Sequence, residues 1–242
     1  MSKIYMFDVD GTLTPARTMM NEDFRNFFLR WSEGKQIYLV SGSDQEKIKQ
    51  QLPPDVMRQC FGVYSSMGNS YHEGDQVIYS IVYSPSRELM EDLEALVHNS
   101  EYPIKTGHHV EFREGMVNFS IVGRNADMEQ RAAYNKYDML HGDRAGIVET
   151  LSHCHPDLDF AIGGNISIDI YPRGHDKSQA VRHLRGEVGS TPEIIFFGDR
   201  TEAPGNDYGI VRALDEAPEP SRWHAVTKWQ DTMSILRDSY SD

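Results

Sequence analysis

Short apolar runs that end in polar loops recur near both ends of the chain. Residues 4–7, 36–40, 61–65 and 193–197 are short and predominantly apolar. Runs of this length without polar alternation predict strands that are buried on both faces, as in a parallel sheet. Helices are then expected to connect the strands and to cover both faces of the sheet.

The segments between these strands show helical periodicity. The apolar stripe of the first helix, with spacing i, i+3, i+4 and i+7, consists of Phe24, Phe27, Phe28 and Trp31. Gly34 stands where the end of that helix is expected. A second helix is predicted after Asp44, with Ser43 or Asp44 as its N-cap and with its end at Pro53-Pro54.

The middle of the chain has a different pattern. Five further strands are predicted there, at residues 77–83, 108–113, 116–122, 158–162 and 166–171. Glu114-Gly115 and Gly163-Gly164-Asn165 form short turns between neighbouring strands, which suits hairpins and indicates an antiparallel sheet. Helical patterns near 86–98 and 127–152 complete an α+β unit.

The α/β pattern returns after residue 176, with a helix over about 176–186, the strand at 193–197 and a last helix near 229–238. We therefore predict an α/β fold with a doubly wound, Rossmann-like core domain formed by residues 1–79 and 175–242. Residues 80–174 are predicted to form an inserted α+β domain, called the cap below, that contains the antiparallel sheet.

The composition limits the classes of partner. The chain has 242 residues, of which 37 are acidic and 24 basic, and a formal charge of −13. That charge disfavours binding to nucleic acid or to a membrane surface, because both are polyanionic, but it does not exclude a small anionic substrate. Two cysteines are too few for a disulfide framework or a structural zinc cluster. Without a signal-peptide pattern or an apolar run of roughly 20 residues, a soluble, cytoplasmic protein is expected.

Three of the predicted core strands end in polar groups. Asp8 and Asp10 follow the first strand, Ser41 and Ser43 follow the second, and Asp199 follows the strand at 193–197. In a doubly wound sheet these carboxyl ends lie at one edge, where ligands bind. Carboxylates gathered there repel one another unless a cation lies among them, and an all-oxygen ligand set suits Mg²⁺. An aspartate beside that ion can attack phosphorus, and a second aspartate can carry the proton.

The string DVDGT at 8–12 resembles the first motif of the haloacid-dehalogenase-like (HAD-like) phosphotransferases. Ser41 or Ser43 resembles the second motif, Lys177 the third, and Gly198-Asp199 with Asn206-Asp207 the fourth. More narrowly, the chain resembles the eukaryotic-type phosphomannomutases. The matching strings span both predicted domains: FDVDGTLTPAR (7–17), SGSD (41–44), EFREGMVNFSIVGR (111–124), IGGNISIDIYPRGHDK (162–177) and FFGDRTEAPGND (196–207).

The resemblance implies a role for each matching residue. Asp8 would be the nucleophile and Asp10 the general acid/base, while Ser43 (or Ser41) and Lys177 would bind the transferring phosphate. The implied Mg²⁺ ligands and their neighbour are Asp8, the carbonyl of Asp10, Asp199 and Asp207. Arg17 would meet the sugar phosphate as the domains close. The cap residues that would hold the distal phosphate and the sugar hydroxyls are Arg113, Arg124, Arg131, Ser167 and Asp169.

The three cap arginines also stand out by residue type. Arginine suits multidentate phosphate recognition, and Arg113, Arg124 and Arg131 lie within nineteen positions of an acidic chain. Arg124 and Arg131 would share a face if one helix carried both, although Gly123-Arg124-Asn125 also fits a strand-to-helix junction. The alternative is that the arginines are solvated charges in weak surface pairs.

The activity implied by the resemblance is a mutase that interconverts mannose 6-phosphate and mannose 1-phosphate. It would pass through an aspartyl phosphate and a hexose 1,6-bisphosphate, with Mg²⁺ as cofactor, the bisphosphate as activator and a homodimer formed through the cap. One alternative is a sugar-phosphate phosphatase in which water attacks the phosphoaspartate. Another is a catalytically silent binding domain, which the presence of Asp8, Asp10, Lys177 and Asp199 disfavours.

The sequence departs from the family pattern in three places. Ser66-Met67-Gly68 stands where family members carry Glu-Asn-Gly, and this change is expected to affect how the domains close. Arg200 replaces the usual lysine after the fourth-motif aspartate. Val211, Ala213 and Glu216 do not reproduce the second cation loop of some members, so the resemblance does not extend to that site.

Overall fold

The computed structural model describes residues 3–187, 192–217 and 220–240, which are arranged as helices packed on two β-sheets. The first sheet consists of β1 (Lys3–Phe7), β2 (Gln36–Val40), β3 (Cys60–Ser65), β4 (Ser70–Glu73), β5 (Gln76–Ser80), β10 (Glu193–Gly198) and β11 (Ser221–Ala225). The second consists of β6 (Val110–Arg113), β7 (Met116–Phe119), β8 (Leu158–Gly163) and β9 (Ser167–Pro172).

The helices connect and cover these strands. In chain order they are α1 (Glu22–Trp31), α2 (Gln45–Gln51), α3 (Pro54–Gln59), α4 (Arg87–Asn99), α5 (Met128–His141), α6 (Asp143–Cys154), α7 (Ser178–Glu187), α8 (Tyr208–Asp215) and α9 (Trp229–Ser239), with a 3₁₀ turn at Ser66–Gly68. Among the described residues, no helix has both the length and the apolar character needed to cross a membrane.

The first sheet has the strand order β11-β10-β1-β2-β3-β4-β5. Neighbours from β11 to β3 pair in parallel, whereas β3, β4 and β5 pair antiparallel. The chain leaves this sheet after β5 and returns to it with α7 and β10. The second sheet and helices α4–α6 are therefore an insertion in a doubly wound α/β core, as predicted, while the exact boundaries 80 and 174 stay a prediction.

The central strand β1 is buried on both faces because its side chains alternate between two apolar clusters. Tyr5 and Phe7 pack on the side covered by α1 and α9, and Ile4 and Met6 pack on the side covered by α7 and α8. All four side chains are at most 3% exposed. The sheet therefore has an apolar interior on each side, and its polar chemistry is confined to the loops at its edges.

The second sheet carries helices on one face only. Val117 and Phe119 pair with Ile170 and Ile168 and pack with apolar residues of α4, α5 and α6. The intervening positions project from the opposite face, because strand side chains alternate. One row across that face is formed by the register partners Glu111, Asn118, Asp169 and Ala161. This polar row faces the carboxyl edge of the first sheet.

Several element predictions need correction. The helical pattern at 127–152 is two helices, because Gly142 has a φ of +66° and ends α5. The strand predicted at 77–83 is β5, which joins the first sheet instead of the inserted one. Pro54 does not only follow a helix, since it is the first residue of α3, where its missing N–H costs nothing. The elements α8, β4 and β11 were not predicted.

The last helix, α9, supports the loop that follows β1. Thr232 Oγ1 donates a hydrogen bond to the carbonyl of Thr12 at 2.7 Å, and both residues are fully buried. Trp31 of α1 donates its indole N–H to the carbonyl of Tyr240 at 2.6 Å. Residues more than 200 positions apart thus fix the loop that carries the first polar motif.

Candidate active site

The ends of β1, β2 and β10 place the predicted motifs side by side. These strands are neighbours in the order β10-β1-β2, so the residues that follow them meet at one edge. Asp8, Ser41 and Asp199 are the first residues after the three strands. Gly11 has a φ of +85°, and a Cβ at this position would lie 2.5 Å from Asp199 Oδ2. Only glycine therefore lets the loop after β1 approach Asp199.

Lys177 is the cation at the centre of this edge. Its Nζ donates hydrogen bonds to Asp8 Oδ1 at 2.6 Å and to Asp207 Oδ1 at 2.7 Å, and its side chain is fully buried. Burial alone would lower the pKa of Lys177, but Asp207 and Asp8 outweigh burial and raise that pKa above its ordinary value. The lysine is therefore charged and joins two of the predicted motifs.

Three carboxylates surround this single lysine. Asp8, Asp199 and Asp207 each offer an oxygen atom, and these atoms lie within 4.8 Å of one another. Burial raises the pKa of Asp8 despite the opposing effect of Lys177, and burial together with Asp207 raises the pKa of Asp199 to about 7. Such shifts indicate negative charge without enough counter-charge. A divalent cation with oxygen ligands fits this donor set and this charge deficit.

Asp10 has a separate environment, and its side chain is not part of the carboxylate group. Its Oδ1 accepts hydrogen bonds from the backbone N–H of Arg17 at 2.7 Å and from Gln51 Nε2 at 2.9 Å. Its Oδ2 accepts a bond from Ser43 Oγ at 3.3 Å. The carboxylate is thus held in one orientation beside Asp8, which suits a group that moves a proton.

The serines of the second predicted motif occupy different positions. Ser41 is buried, and its Oγ accepts a hydrogen bond from the backbone N–H of Ser43 at 3.0 Å. Ser43 is partly exposed and contacts Asp10. Both serines line the cavity described next, so neither of the two predicted alternatives is excluded.

A cavity that is open to solvent lies between the two sheets, and it encloses about 800 Å³ of empty space when its open mouth is included. Its first-sheet lining includes Asp8, Asp10, Arg17, Ser43 and Asp199. Its second-sheet lining includes Arg113, Asn118, Arg131, Ser167 and Asp169. Three of the four lining carboxylates therefore lie on the first-sheet side, and two of the three lining arginines lie on the opposite side.

The guanidinium groups of Arg17, Arg113 and Arg131 form the basic part of the cavity. Burial and the charge of Arg113 lower the pKa of Arg17, and burial and the charge of Arg17 lower the pKa of Arg131 to about 10. Arg131 Nε and Nη2 donate to the backbone carbonyls of Ala126 and Arg124. The positive charges of these arginines repel one another, so this part of the cavity attracts an anion.

Arg124 is close to the cavity but is not among the residues that line it. Its Nη1 donates to Ser167 Oγ at 2.7 Å and its Nε to Glu111 at 3.3 Å. Its Nη2 is buried and has no hydrogen-bond partner among the described residues. Arg124 precedes α5 whereas Arg131 lies within it, so the two arginines do not share one helix and the junction alternative is correct.

Asp169 connects the two sheets. It accepts hydrogen bonds from Asn118 of β7 at 2.6 Å and from Asn206, beside Asp207, at 3.3 Å. Burial raises its pKa even though Arg113 opposes the shift. Gly42, after β2, allows the close approach, because a Cβ there would lie 3.0 Å from Asp169 Oδ2.

Sequence reasoning missed Gln51, Glu111 and Asn118. Gln51 is buried and donates to both Asp10 and Thr14. Glu111 bonds to Lys47 of the first unit and to Arg113 of its own. No local signal marks these residues, since their roles arise from contacts with residues distant in the chain. Asn118 is the exception, because the alternation of side chains along a strand places it on the same face of the sheet as Asp169.

Three features together define a class of protein. They are a buried aspartate at the end of the central strand, a lysine that joins it to the carboxylate of the fourth motif, and an inserted second sheet above them. This is the architecture of a HAD-like phosphotransferase with a cap. The fold also matches that of a haloacid-dehalogenase-like hydrolase from Bacteroides thetaiotaomicron, with a TM-score of 0.56, 14% sequence identity and coverage of 98% of this chain and 99% of that one.

Comparison of sequences narrows the class to a family. The family model for eukaryotic phosphomannomutase matches residues 24–241. A phosphomannomutase of Saccharomyces cerevisiae is 36% identical over 98% of this chain and 94% of that protein. One from Triticum aestivum is 36% identical over 97% of this chain and 94% of that protein. The chain belongs to the eukaryotic phosphomannomutase family.

Proposed function

We propose that this protein is a phosphosugar mutase that interconverts mannose 6-phosphate and mannose 1-phosphate. The observation that carries this proposal is the cavity, in which Asp8 and Asp10 face Arg113 and Arg131 across one space. A substrate with phosphate at both ends needs a reactive site at one end and an anion clamp at the other. Family membership supports mannose phosphates as the substrates.

The reaction uses Asp8 twice. The 1-hydroxyl of mannose 6-phosphate attacks the phosphorus of the phosphorylated Asp8, a new O–P bond forms, the Asp8 O–P bond breaks, and Asp10 takes the hydroxyl proton. The hexose 1,6-bisphosphate then turns over. Asp8 attacks the 6-phosphate, Asp10 returns its proton to the 6-oxygen, and mannose 1-phosphate leaves with Asp8 phosphorylated again.

The residues around Asp8 support these steps electrostatically. Lys177 holds one Asp8 oxygen, which orients the carboxylate and lowers the charge that an incoming phosphoryl group meets. Ser43, beside Asp10, is placed to donate to a phosphoryl oxygen. Mg²⁺ would be held by Asp8, Asp199 and Asp207, and when bound it supplies neutralisation of phosphoryl charge.

The second sheet and the arginines of the cavity bind the rest of the substrate. Arg17, Arg113 and Arg131 offer the positive charge for the distal phosphate, and Asp169 with Ser167 offers acceptors for sugar hydroxyls. Contacts such as Asn206–Asp169 and Lys47–Glu111 hold the sheets together across the cavity. That closure keeps water away from the phosphoaspartate.

The test is a coupled assay that measures hexose isomerisation and release of inorganic phosphate in the same sample. With Mg²⁺, mannose 1-phosphate should be isomerised, the rate should increase on adding a hexose 1,6-bisphosphate, and little phosphate should appear. Asp8→Asn should abolish isomerisation. Rapid phosphate release without isomerisation would contradict the mutase and identify a sugar-phosphate phosphatase that uses the same aspartate.

A further inference from the structure

The 3₁₀ turn at Ser66–Gly68 has an unusual backbone. Three consecutive residues lie in the left-handed region, with φ values of +50° for Ser66, +65° for Met67 and +86° for Gly68. Side chains other than glycine enter this region at a cost of about 1–2 kcal/mol per residue. Such strain persists where the surroundings hold the chain in place, and it is most common at functional sites.

Backbone hydrogen bonds attach this turn to the phosphate-binding loop after β2. The N–H of Ser66 donates to the carbonyl of Ser43, and the N–H of Met67 donates to the carbonyl of Ser41, both at 2.9 Å. On the other side, Gln179 of α7 donates to the carbonyl of Met67 at 2.9 Å. The turn is therefore a rigid extension of the reactive edge.

The side chains of the same two residues reach the second sheet. Ser66 Oγ donates to Glu114 Oε2, in the turn between β6 and β7, at 2.8 Å. Met67 is fully buried in a small apolar cluster whose other members, Met116, Ala161 and Tyr171, lie on β7, β8 and β9. Met67 Sδ also lies beside Gly42 in the cavity wall, 3.5 Å from where a Cβ on Gly42 would be.

Met67 comes from the turn that follows β3 of the first sheet, whereas the other members of this cluster belong to the inserted unit. Several other contacts between the two units near the cavity are polar, such as Lys47–Glu111 at 2.5 Å and Asn69 Nδ2 to the Gly115 carbonyl at 3.3 Å. The Lys47–Glu111 pair is partly exposed, so water can replace part of its interaction when the units separate. Water cannot replace the contacts of an apolar side chain in this way. Separating the sheets therefore exposes Met67 to water at a net cost in free energy.

We propose that Ser66 and Met67 form a docking strap that holds the second sheet closed and thereby determines whether the phosphoaspartate passes its phosphoryl group to sugar or to water. This inference rests on the proposed function. In the competing reaction, the oxygen of water forms the new bond to phosphorus, the Asp8 O–P bond breaks, and the proton leaves through Asp10. Opening the strap admits water while leaving Asp8, Asp10 and Lys177 unchanged, so hydrolysis increases at the expense of transfer.

The experiment compares Met67→Ala and Ser66→Ala with the wild-type chain. Phosphate release and isomerisation are measured together with mannose 1-phosphate, a hexose 1,6-bisphosphate and Mg²⁺. We expect Met67→Ala to raise phosphate release per isomerisation at least about tenfold, which corresponds to about 1.4 kcal/mol of lost closure. We expect a smaller rise for Ser66→Ala, because it removes one hydrogen bond. Small-angle X-ray scattering should show a larger radius of gyration for Met67→Ala.

Leu236→Ala is the matched control. Leu236 is as fully buried as Met67 but packs in the cluster between the first sheet and α9, away from the second sheet. It should lower stability without changing the ratio of the two reactions. Glu114→Ala removes the acceptor of the same contact, and it should resemble Ser66→Ala and add little to it in the double variant.

The outcomes separate the two proposals. If folded Met67→Ala and Ser66→Ala keep the wild-type ratio, or if Leu236→Ala raises it equally, the docking strap is refuted while the mutase stands. If the wild-type chain releases phosphate without isomerisation, the mutase is refuted. The strap is then judged with p-nitrophenyl phosphate, whose hydrolysis must increase in Met67→Ala for the strap to stand.

Discussion

Replacing Lys177 with methionine tests how the buried charges of the site are balanced. Methionine fills a similar volume but carries no charge, so Asp8 and Asp207 lose hydrogen bonds of 2.6 and 2.7 Å from a fully buried ammonium group. Removing one partner from a buried ion pair costs roughly 3–5 kcal/mol, since it leaves uncompensated charge. Asp207 keeps its bond from the N–H of Arg200 at 3.0 Å, so most of the loss falls on Asp8.

Urea unfolding at pH 7.5, followed by far-ultraviolet circular dichroism, measures this loss. We expect the free energy of unfolding to fall by about 3–5 kcal/mol in metal-free buffer. Because burial already raises the pKa of Asp8, protonation can relieve part of the repulsion, and the loss should be smaller at pH 5. Lys49→Met is the control, since the Lys49–Asp75 pair is exposed and worth about 0–1 kcal/mol.

A folded Lys177→Met variant that loses less than about 1 kcal/mol at pH 7.5 would refute the reasoning, because that is the size of an exposed pair. An equal loss at pH 5 and pH 7.5 would refute the protonation argument alone. Saturating Mg²⁺ should restore stability in both the variant and the wild-type chain, by about 2.7 kcal/mol at a hundred times the dissociation constant.

Three further predictions follow from the site. In metal-free buffer the pKa of Asp199 is about 7 in the folded state, against an ordinary value of 3.8. Between these pH values the folded state therefore holds a proton that the unfolded state has lost. The urea midpoint should fall as the pH rises from 4 to 7, and Mg²⁺ should reverse this trend. Gln51→Ala removes a hydrogen bond to Asp10, so it should lower kcat by about tenfold to a hundredfold with little change in KM. The control is Gln50→Ala, at an exposed position, which should change neither kcat nor KM. An effect of Gln51→Ala on KM alone would contradict this reasoning. Arg124→Ala should raise KM for mannose 1-phosphate by about tenfold or more through its buried Nη2 and its bond to Ser167, and a KM within twofold of wild type would count against it.

The parts of the fold that follow from the sequence are those in which a strand is buried on both faces. Residues 4–7 have no charged position and residues 193–197 have only Glu193 at their start, and the ends of both strands mark the reactive edge. Polar strands such as β4 (SYHE) and β11 (SRWHA) were missed because their apolar side chains are few, and β11 has no buried residue. The break at Gly142 was missed because helical sequence lies on both sides of it, whereas the positive φ of Gly142 ends α5.

The site divides in the same way. Asp8, Lys177 and Asp199 were predicted because motifs carry them and because parallel strand ends must meet. The partners of Asp10 and Arg113 could not be predicted, since Gln51 and Glu111 acquire their roles from the way in which helices and sheets dock. Arg124 was predicted to bind substrate directly, but its visible contacts are to Ser167 and Glu111, one layer behind the cavity.

The bond from Thr232 to the carbonyl of Thr12 has a consequence for the order of events during synthesis. Within this chain, β1 is synthesised before β10, which is one of its two neighbours, and before α9, the helix that holds its loop. The inserted unit, residues 87–172 in one continuous stretch, can fold while β1 has β2 beside it but still lacks β10. A chain still being synthesised can therefore complete the inserted unit before the loop that carries Asp8 and Asp10 gains its contact with α9.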